Sequence, residues 1–530
     1  MRLKMYLFVI LLLLGCSCKD LMKLDTINKL TINSTEDLSL AITGLYHQFA
    51  ALKNPDLCMT LLVNRDDYAV THNKIYNGDV CSKSGVSVTP EEAQLLSAYS
   101  PLYKTIACSN DIIEKTKNLN HQDKSIRHML GEAYFIRAYC YFWLVRLYGQ
   151  IPIIDNVDVD FSVPKASFTE IYIFIESDLQ RAISLLPNSN YEARKTYVTP
   201  HRGSAKALLA EVYLNWAGYP IKDISMYAQS ASMAKEVIDS AAYFGLGLMP
   251  DLADLWNGQH DLNQESVFSI YASYAIGFPG IREDELFVGN DIDPKDIYFM
   301  VGYQASEGVG IKFFNAFPNN YRKDITYMRR RVSITKPPCV VDSLNSDNNY
   351  CPPAEITEYR YNSITACDVM FFRKFYTQFN VPDSVLAKGR LSDMINEKLK
   401  VIYLLRYSHT LLTYAEAKAR SGNMDASAFE AVNQIRRRAN RVDLHSPSVF
   451  DLRTGLSPEE FADSVVWERA WEFCAEPESR WFDLVRLEMA ANLKNLKDKN
   501  DGPAFPLRPN METFFFPLPK IDQMLNLQLQ

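Results

Sequence analysis

The sequence predicts a mainly α protein: a scaffold of antiparallel helix pairs, interrupted by one long irregular, partly β insertion. Three observations point there. Apolar residues recur at helical spacing before about residue 242 and again after 401, as in the stripe Phe168, Ile171, Tyr172, Ile175, Leu179 and Ile183. Small residues such as Ala205, Ala207, Ala210 and Ala217 mark places where helix backbones approach closely. Between about Tyr243 and Leu391 the helical period disappears and Gly, Pro, Asn and Asp cluster. With 47% hydrophobic and 22% charged residues, the 530-residue chain has the balance of a globular protein that buries a sizeable core. The net charge of −7 and the lack of a basic stripe exclude wrapping of nucleic acid.

Each element follows from local signals. A helix is predicted over Asp37–Leu52, with Leu38, Ile42, Leu45 and Phe49 near one face. A polar, Tyr-bearing loop follows, from Asn64 to Ser87. Pro90–Leu119 carries Pro in its first turn and a stripe of Leu102, Ile106, Ile112 and Ile113. Lys124–Tyr148 is dense in aromatics and is stopped by Gly149 and Pro152. Phe168–Leu186 ends at Pro187, Pro200–Trp216 ends before Gly218, and Ser225–Ser240 completes this region. In the insertion, Glu265–Tyr271 alternates as a strand does. Helical pattern resumes over Val401–Ser421, Asp425–Asn440 and Ser457–Ala475, and the tail Phe514–Pro519 is short and aromatic. The helix pairs resemble TPR units, although no TPR consensus is readable.

The first residues read as an export signal. Arg2 and Lys4 precede an apolar run from Met5 to Leu14, which is too short to span a bilayer as a permanent helix. Leu13-Leu14-Gly15-Cys16 resembles a bacterial lipobox, in which the Cys sulfur takes the diacylglycerol and the Cys becomes the mature N-terminus. Cys18 is the alternative lipidated residue, and an ordinary signal peptide is the alternative to a lipoprotein one. Acyl chains on such a Cys hold a protein to a membrane without a transmembrane segment. Lys19-Asp20 resembles the charged export tag of surface lipoproteins in Bacteroidetes-like bacteria. Of the other cysteines, Cys339 and Cys351 flank a polar loop and are candidates for a disulfide in an oxidising compartment.

Several ordered blocks carry a family resemblance. The first is Tyr99-Ser-Pro-Leu-Tyr103 running to Asn110-Asp-Ile-Ile113. The second is Glu132-Ala133-Tyr134-Phe135-Ile136-Arg137-Ala138, running to Tyr148-Gly149-Gln150-Ile151-Pro152. Ser204 to Leu214 follows with its run of Ala and Leu. In the C-terminal half come Leu405-Arg406-Tyr407 to Tyr414-Ala415-Glu416-Ala417, with Ser408-His409 where Ala-Glu is usual, and Ala431-Val432-Asn433-Gln434-Ile435-Arg436-Arg437-Arg438-Ala439. Last are Glu468-Arg469, Glu472, Glu476, Arg480-Trp481-Phe482-Asp483-Leu484 and Arg486. Together these blocks, from Tyr99 to Arg486, resemble the SusD/RagB family of outer-membrane nutrient-binding lipoproteins.

The resemblance implies a TPR-like helical scaffold with an irregular ligand face. It implies a non-catalytic cell-surface protein at the outer membrane that binds a glycan and delivers it to a SusC-like TonB-dependent transporter. A peptide ligand is the alternative within the family, and a glycoside hydrolase, which needs paired carboxylates brought together by folding, is the alternative of a different class. The corresponding organisation is a signal peptide over 1–15, a lipid-anchored tether over 16–36 and an N-terminal helical region over 37–242. The insertion over 243–400 carries the ligand face, and a C-terminal helical region spans 401–530, all folded as one domain.

Sugar recognition needs flat aromatic faces for the C–H side of a pyranose and polar groups for its hydroxyls. The expected ligand residues are therefore Arg65, Asp66, Asp67, Tyr68, Tyr76, Asn77 and Tyr99 from the first region. Trp256, Tyr298 and Tyr303 are expected from the insertion. Asp66 or Asp67 has capping of the next turn as its other role. No GxSxG, HExxH, Walker A or Rossmann fingerprint is present, so no cofactor and no catalytic residue is expected. Glu468, Glu472 and Glu476 recur at i, i+4 and i+8, a spacing that in other settings suggests acid–base chemistry or a metal. Here a salt-bridged helix face is expected, with Arg469 and Arg480 as partners and with Arg137, Arg406 and Asp483 fixing helix packing.

Overall fold

The computed structural model describes residues 31–50, 66–71, 89–91, 93–157, 162–195, 197–256, 260–271, 307–333, 366–372, 401–476, 480–496 and 514–529. The N-terminal helices are α1 (Thr35–Ala50), α2 (Ala93–Lys115), α3 (Lys124–Tyr148), α4 (Phe168–Leu185), α5 (Arg202–Trp216) and α6 (Met226–Asp239). Strand β1 (Ala69–Thr71) lies between α1 and α2. Each helix packs on its neighbour in the chain, α2 on α3, α3 on α4, α4 on α5 and α5 on α6. Helix α3 is central: its residues from Met129 to Tyr148 are buried apart from Tyr134, so its aromatic density is core packing on all sides. Asp123 caps its N-terminus by accepting from Ser125 N at 2.8 Å. Gly149, at φ 74°, ends it in a conformation that favours glycine. A Ser167–Glu170 capping box starts α4.

The C-terminal helices are α9 (Tyr407–Arg420), α10 (Ala426–Ala439), α11 (Pro458–Glu472) and α12 (Arg480–Arg486). They are preceded by α7 (Ile311–Ala316) and α8 (Tyr321–Thr326). Helix α9 packs on α10 and α11 and also on α5 and α6, which closes the two helical regions around one apolar core. The tail returns to α3: Phe516 N donates to Leu147 O at 2.8 Å, and the Phe515 ring lies 5.3 Å from that of Phe168. Its last short helix, α13 (Lys520–Leu525), exposes Met524 and Leu525.

The strands form two-stranded antiparallel pairs: β1 with β3 (Glu307–Val309), β2 (Ser266–Tyr271) with β6 (Val401–Arg406), and β4 (Tyr327–Ser333) with β5 (Ala366–Phe372). Strand β2 matches its expectation. Strand β6 corrects one, since a helix was expected throughout Val401–Ser421. The run Val401-Ile-Tyr-Leu-Leu-Arg406 is buried at every position, and a short, continuously apolar run has no period that separates strand from buried helix. Pairing with β2, from Ser266↔Arg406 to Tyr271↔Val401, decides for strand, and the helix begins at Tyr407.

Cys16, Cys18, Cys339 and Cys351 lie outside the described residues. Among the described residues, no helix is long and apolar enough to cross a membrane.

Candidate ligand face and its root

The loop region after α1 and the middle insertion, both expected to serve a ligand, are joined by hydrogen bonds. Strand β1 pairs with β3 in the register Ala69↔Val309, Val70↔Gly308 and Thr71↔Glu307. Just beyond the pair, Gly310 N donates to Tyr68 O at 2.8 Å. A Cβ at Gly310 would sit 2.4 Å from Asp67 O, so the close approach of the two backbones requires glycine there. The segment carrying Tyr76 and Asn77 leaves the described body after Thr71, and the one carrying Tyr298 and Tyr303 enters it at Glu307. Their attachment points are partners in one ladder.

This root is anchored from the C-terminal half. Arg480 donates through Nε to Asp67 Oδ1 at 2.7 Å and through Nη2 to Asp67 Oδ2, a bidentate pair with both side chains about 1% exposed. Burial disfavours the Arg480 charge, but Asp67 outweighs it and holds the guanidinium above its ordinary pKa. The same guanidinium lies 5.0 Å from the Trp467 ring, and the Tyr68 ring packs 6.0 Å from Phe313 of α7. Asp66 Oδ1 accepts from Tyr68 N at 3.2 Å, the local turn role expected of an Asp in this loop.

These placements correct part of the expected ligand set. Asp66, Asp67 and Tyr68 are 1%, 1% and 5% exposed, so they build the root and present no face to solvent. Tyr99 is buried between Tyr103 and Tyr148, with ring centroids 4.7 and 5.0 Å away, because it falls on the inward stripe of α2. Trp256 is buried edge-on against Tyr403 of β6 at 5.5 Å. Arg65, Tyr76, Asn77, Tyr298 and Tyr303 lie outside the described residues. Sequence reasoning missed Gly310 and the pairing of Asp67 with Arg480. The Arg480-Trp481-Phe482-Asp483-Leu484 block flags the arginine, but nothing in it names a partner 413 positions away.

The three glutamates are ion-paired, as expected, but to other arginines than expected. Helix α11 ends at Glu472, and Glu476 follows a turn in which Ala475 has φ 65°. Arg406 Nη1 donates to Glu472 Oε1 at 3.0 Å and to Glu265 Oε1 at 2.6 Å, and its Nε donates to Glu476 Oε2 at 2.8 Å. Arg438 joins Glu265 and Glu472, and Arg322 joins Glu472 at 3.0 Å and Glu468 at 2.7 Å. Arg469 pairs instead with Glu211 at 2.8 Å and Asp483 at 3.0 Å. Burial works against the Arg406 charge, yet Glu476, Glu472 and Glu265 hold it well above the ordinary arginine pKa. A set of carboxylates each facing a guanidinium fixes geometry. Among the described residues no group of three or more His, Cys, Asp or Glu is placed to hold a metal ion.

Fold and root together define a class: a helix-pair scaffold in which two distant stretches of chain are joined by one strand pair. A family model described as "SusD-like_3: Starch-binding associating with outer membrane" matches residues 21–214, and one described as "SusD family" (SusD_RagB) matches residues 373–520. The chain belongs to the SusD/RagB family. It is 26% identical over 536 residues to SusD-like protein P2 of Formosa agariphila, covering 98% of this chain and 97% of that one. Its fold is that of solved relatives. A SusD superfamily protein from Parabacteroides distasonis matches with TM-score 0.70 at 21% identity, over 94% of this chain and 98% of that one. A laminarin binding SusD-like protein matches with TM-score 0.66 at 20% identity, over 93% and 98%.

Proposed function

We propose that the protein is a cell-surface, lipid-anchored glycan-binding protein of the outer membrane that hands its ligand to a SusC-like TonB-dependent transporter. The observation that carries this reading is the β1–β3 pair, which attaches the Tyr76–Asn77 and Tyr298–Tyr303 segments at adjacent positions on a rigidly clamped base. Rings and amides from two segments sharing one base suit a sugar, whose flat C–H faces and hydroxyls need both kinds of contact. Membership of a family described as starch-binding and associated with the outer membrane supports the ligand class and the location. The lipobox-like Leu13 to Cys16 supplies the anchor, with acylation at Cys16 and Cys18 as the alternative. The ligand residues then narrow to Arg65, Tyr76, Asn77, Tyr298 and Tyr303, with Asp66, Asp67 and Tyr68 positioning them.

Calorimetry of the chain lacking residues 1–19 against a panel of polysaccharides and peptides tests the ligand class. Saturable binding of one glycan, lost in Tyr76→Ala or Tyr303→Ala, is the expected result. Binding of peptides alone would replace the glycan by a peptide. Co-purification of the transporter with the full chain from outer membranes, abolished by Cys16→Ala plus Cys18→Ala, tests the assembly.

A further inference from the structure

A concavity lies in the C-terminal half and shares no lining residue with the root. Its volume is about 210 Å³. Asn319 and Asn320 enter it from the turn before α8, Asn440 from the end of α10, and Phe450 from the loop that follows. Its floor is charged but balanced. Arg322, 1% exposed, commits its Nη groups to Glu468 and Glu472, while Arg436 Nη1 donates to Glu468 Oε2 at 3.0 Å.

Arg322 lines the cavity as a buried side chain, and its Nε–H, without a hydrogen-bond partner among the described residues, has no accessible surface and offers the cavity no donor. The surrounding amides are half used. Asn319 Oδ1 accepts from Lys323 Nζ at 2.9 Å and Asn320 Oδ1 from Lys323 N at 3.3 Å, so each has its NH2 group to offer. Asn440 donates through Nδ2 to Arg436 O at 2.7 Å and offers its carbonyl oxygen. The Phe450 ring, 39% exposed, adds a flat apolar surface.

We propose that this cavity binds one neutral, pyranose-sized polyol, such as a single residue of a glycan. The C–H face would lie on Phe450, and the hydroxyls would accept from the Asn319 and Asn320 amides and donate to Asn440 Oδ1. Both arginines already face carboxylates, so the cavity has little net charge and does not favour an anion. The volume lies below the roughly 300 Å³ at which pockets for larger ligands begin, which fits one ring and not a chain. The choice of a sugar as ligand rests on the glycan reading above, whereas the site rests on the cavity itself.

The test is saturation-transfer NMR on the full chain in detergent, with glucose, galactose and mannose and with trisaccharides of each as probes. Transfer to one of them is expected to persist in a Tyr76→Ala/Tyr303→Ala variant. It should weaken about tenfold in Phe450→Ala and in Asn440→Ala, and recover in Phe450→Tyr, at unchanged thermal midpoint. Preference for a trisaccharide over its monosaccharide would identify a glycan end as the source, and equal response a free sugar. Transfer lost in the tyrosine variant while Phe450→Ala is silent would overturn the proposal. So would absence of transfer to every neutral sugar, or preferential binding of acetate. The Tyr76→Ala/Tyr303→Ala variant separates this site from the tyrosine-bearing segments, so that failure of one reading is distinguishable from failure of the other.

Discussion

Within α2–α4, one buried ion pair works inside an aromatic shell: Arg137 donates through Nε and Nη2 to Asp178, both at 2.7 Å, and through Nη1 to Asn110 Oδ1 at 2.8 Å. Asn110 in turn donates to the Ile154 and Asn156 carbonyls, so a single arginine ties α2, α3, α4 and the chain after α3 together. Around α8–α12, by contrast, Arg322, Arg406 and Arg438 share Glu265, Glu468, Glu472 and Glu476, and nearby Arg469 and Arg486 share Asp483 with Glu211 and Glu416. An arginine with a single carboxylate partner is replaceable, together with that partner, by apolar residues of similar shape. A shared network is not, because removing any member strands several opposite charges.

That contrast sets the order of expected effects. Arg406→Met leaves Glu265, Glu472 and Glu476 facing an apolar side chain, and a loss of at least about 3–5 kcal/mol in urea unfolding is expected. Arg406→Lys should recover little of it, since one ammonium cannot replace a guanidinium fork. Arg137→Met alone should cost about 3 kcal/mol, and adding Asp178→Leu should restore most of the loss. If the double variant were as unstable as the single, the lone pair would be no more replaceable than the network, and the contrast would fail.

Acid provides a third probe. His201 is buried and desolvation pushes its pKa down to about 3, and His409, buried against Phe473, is held well below the ordinary imidazole range by burial and by Arg406. Between about 3 and 6.5 the unfolded chain binds a proton at residue 201 that the folded chain refuses, so stability falls as pH drops through that window. The slope approaches about 1.4 kcal/mol per pH unit for that one site. His201 Nδ1 accepts from Gly203 N as a helix cap, so His201→Asn keeps the cap and should flatten the profile, read by urea unfolding between pH 4 and 7. Glu416 adds to acid loss at lower pH: despite burial, Arg486 and Arg420 hold it at about 2, and its contribution fades as pH falls from about 4.5 toward that value.

The smallest effect is the control. Ser167→Ala on α4 and Ser457→Ala on α11 remove equivalent capping boxes in the two halves, and each should cost about 1 kcal/mol. Unequal costs in thermal unfolding would mean that the halves differ in more than their buried charge.

Most of the helices were legible because their signals are local. Lys124–Tyr148 begins and ends where its cap and its glycine place it, and Phe168 starts α4 directly after the Ser167 cap. Misreadings occurred where local signals run out. Val401–Arg406 is apolar on both faces and became a strand only because β2 was there to pair with it. Tyr99, Tyr68 and Trp256 carry rings equally suited to a core or to a sugar, and the packing of Tyr148, Phe313 and Tyr403 against them put them inside.

What the sequence determined by itself is the scaffold and the family: helix periods, caps and ordered blocks are written over short stretches of chain, where neighbouring side chains decide the outcome. What only the tertiary structure decided is which distant residues meet. Asp67 with Arg480, Thr71 with Glu307 and Glu265 with Arg406 lie far apart in the chain, and their pairing follows from the closure of one shared core, which no short stretch of sequence encodes.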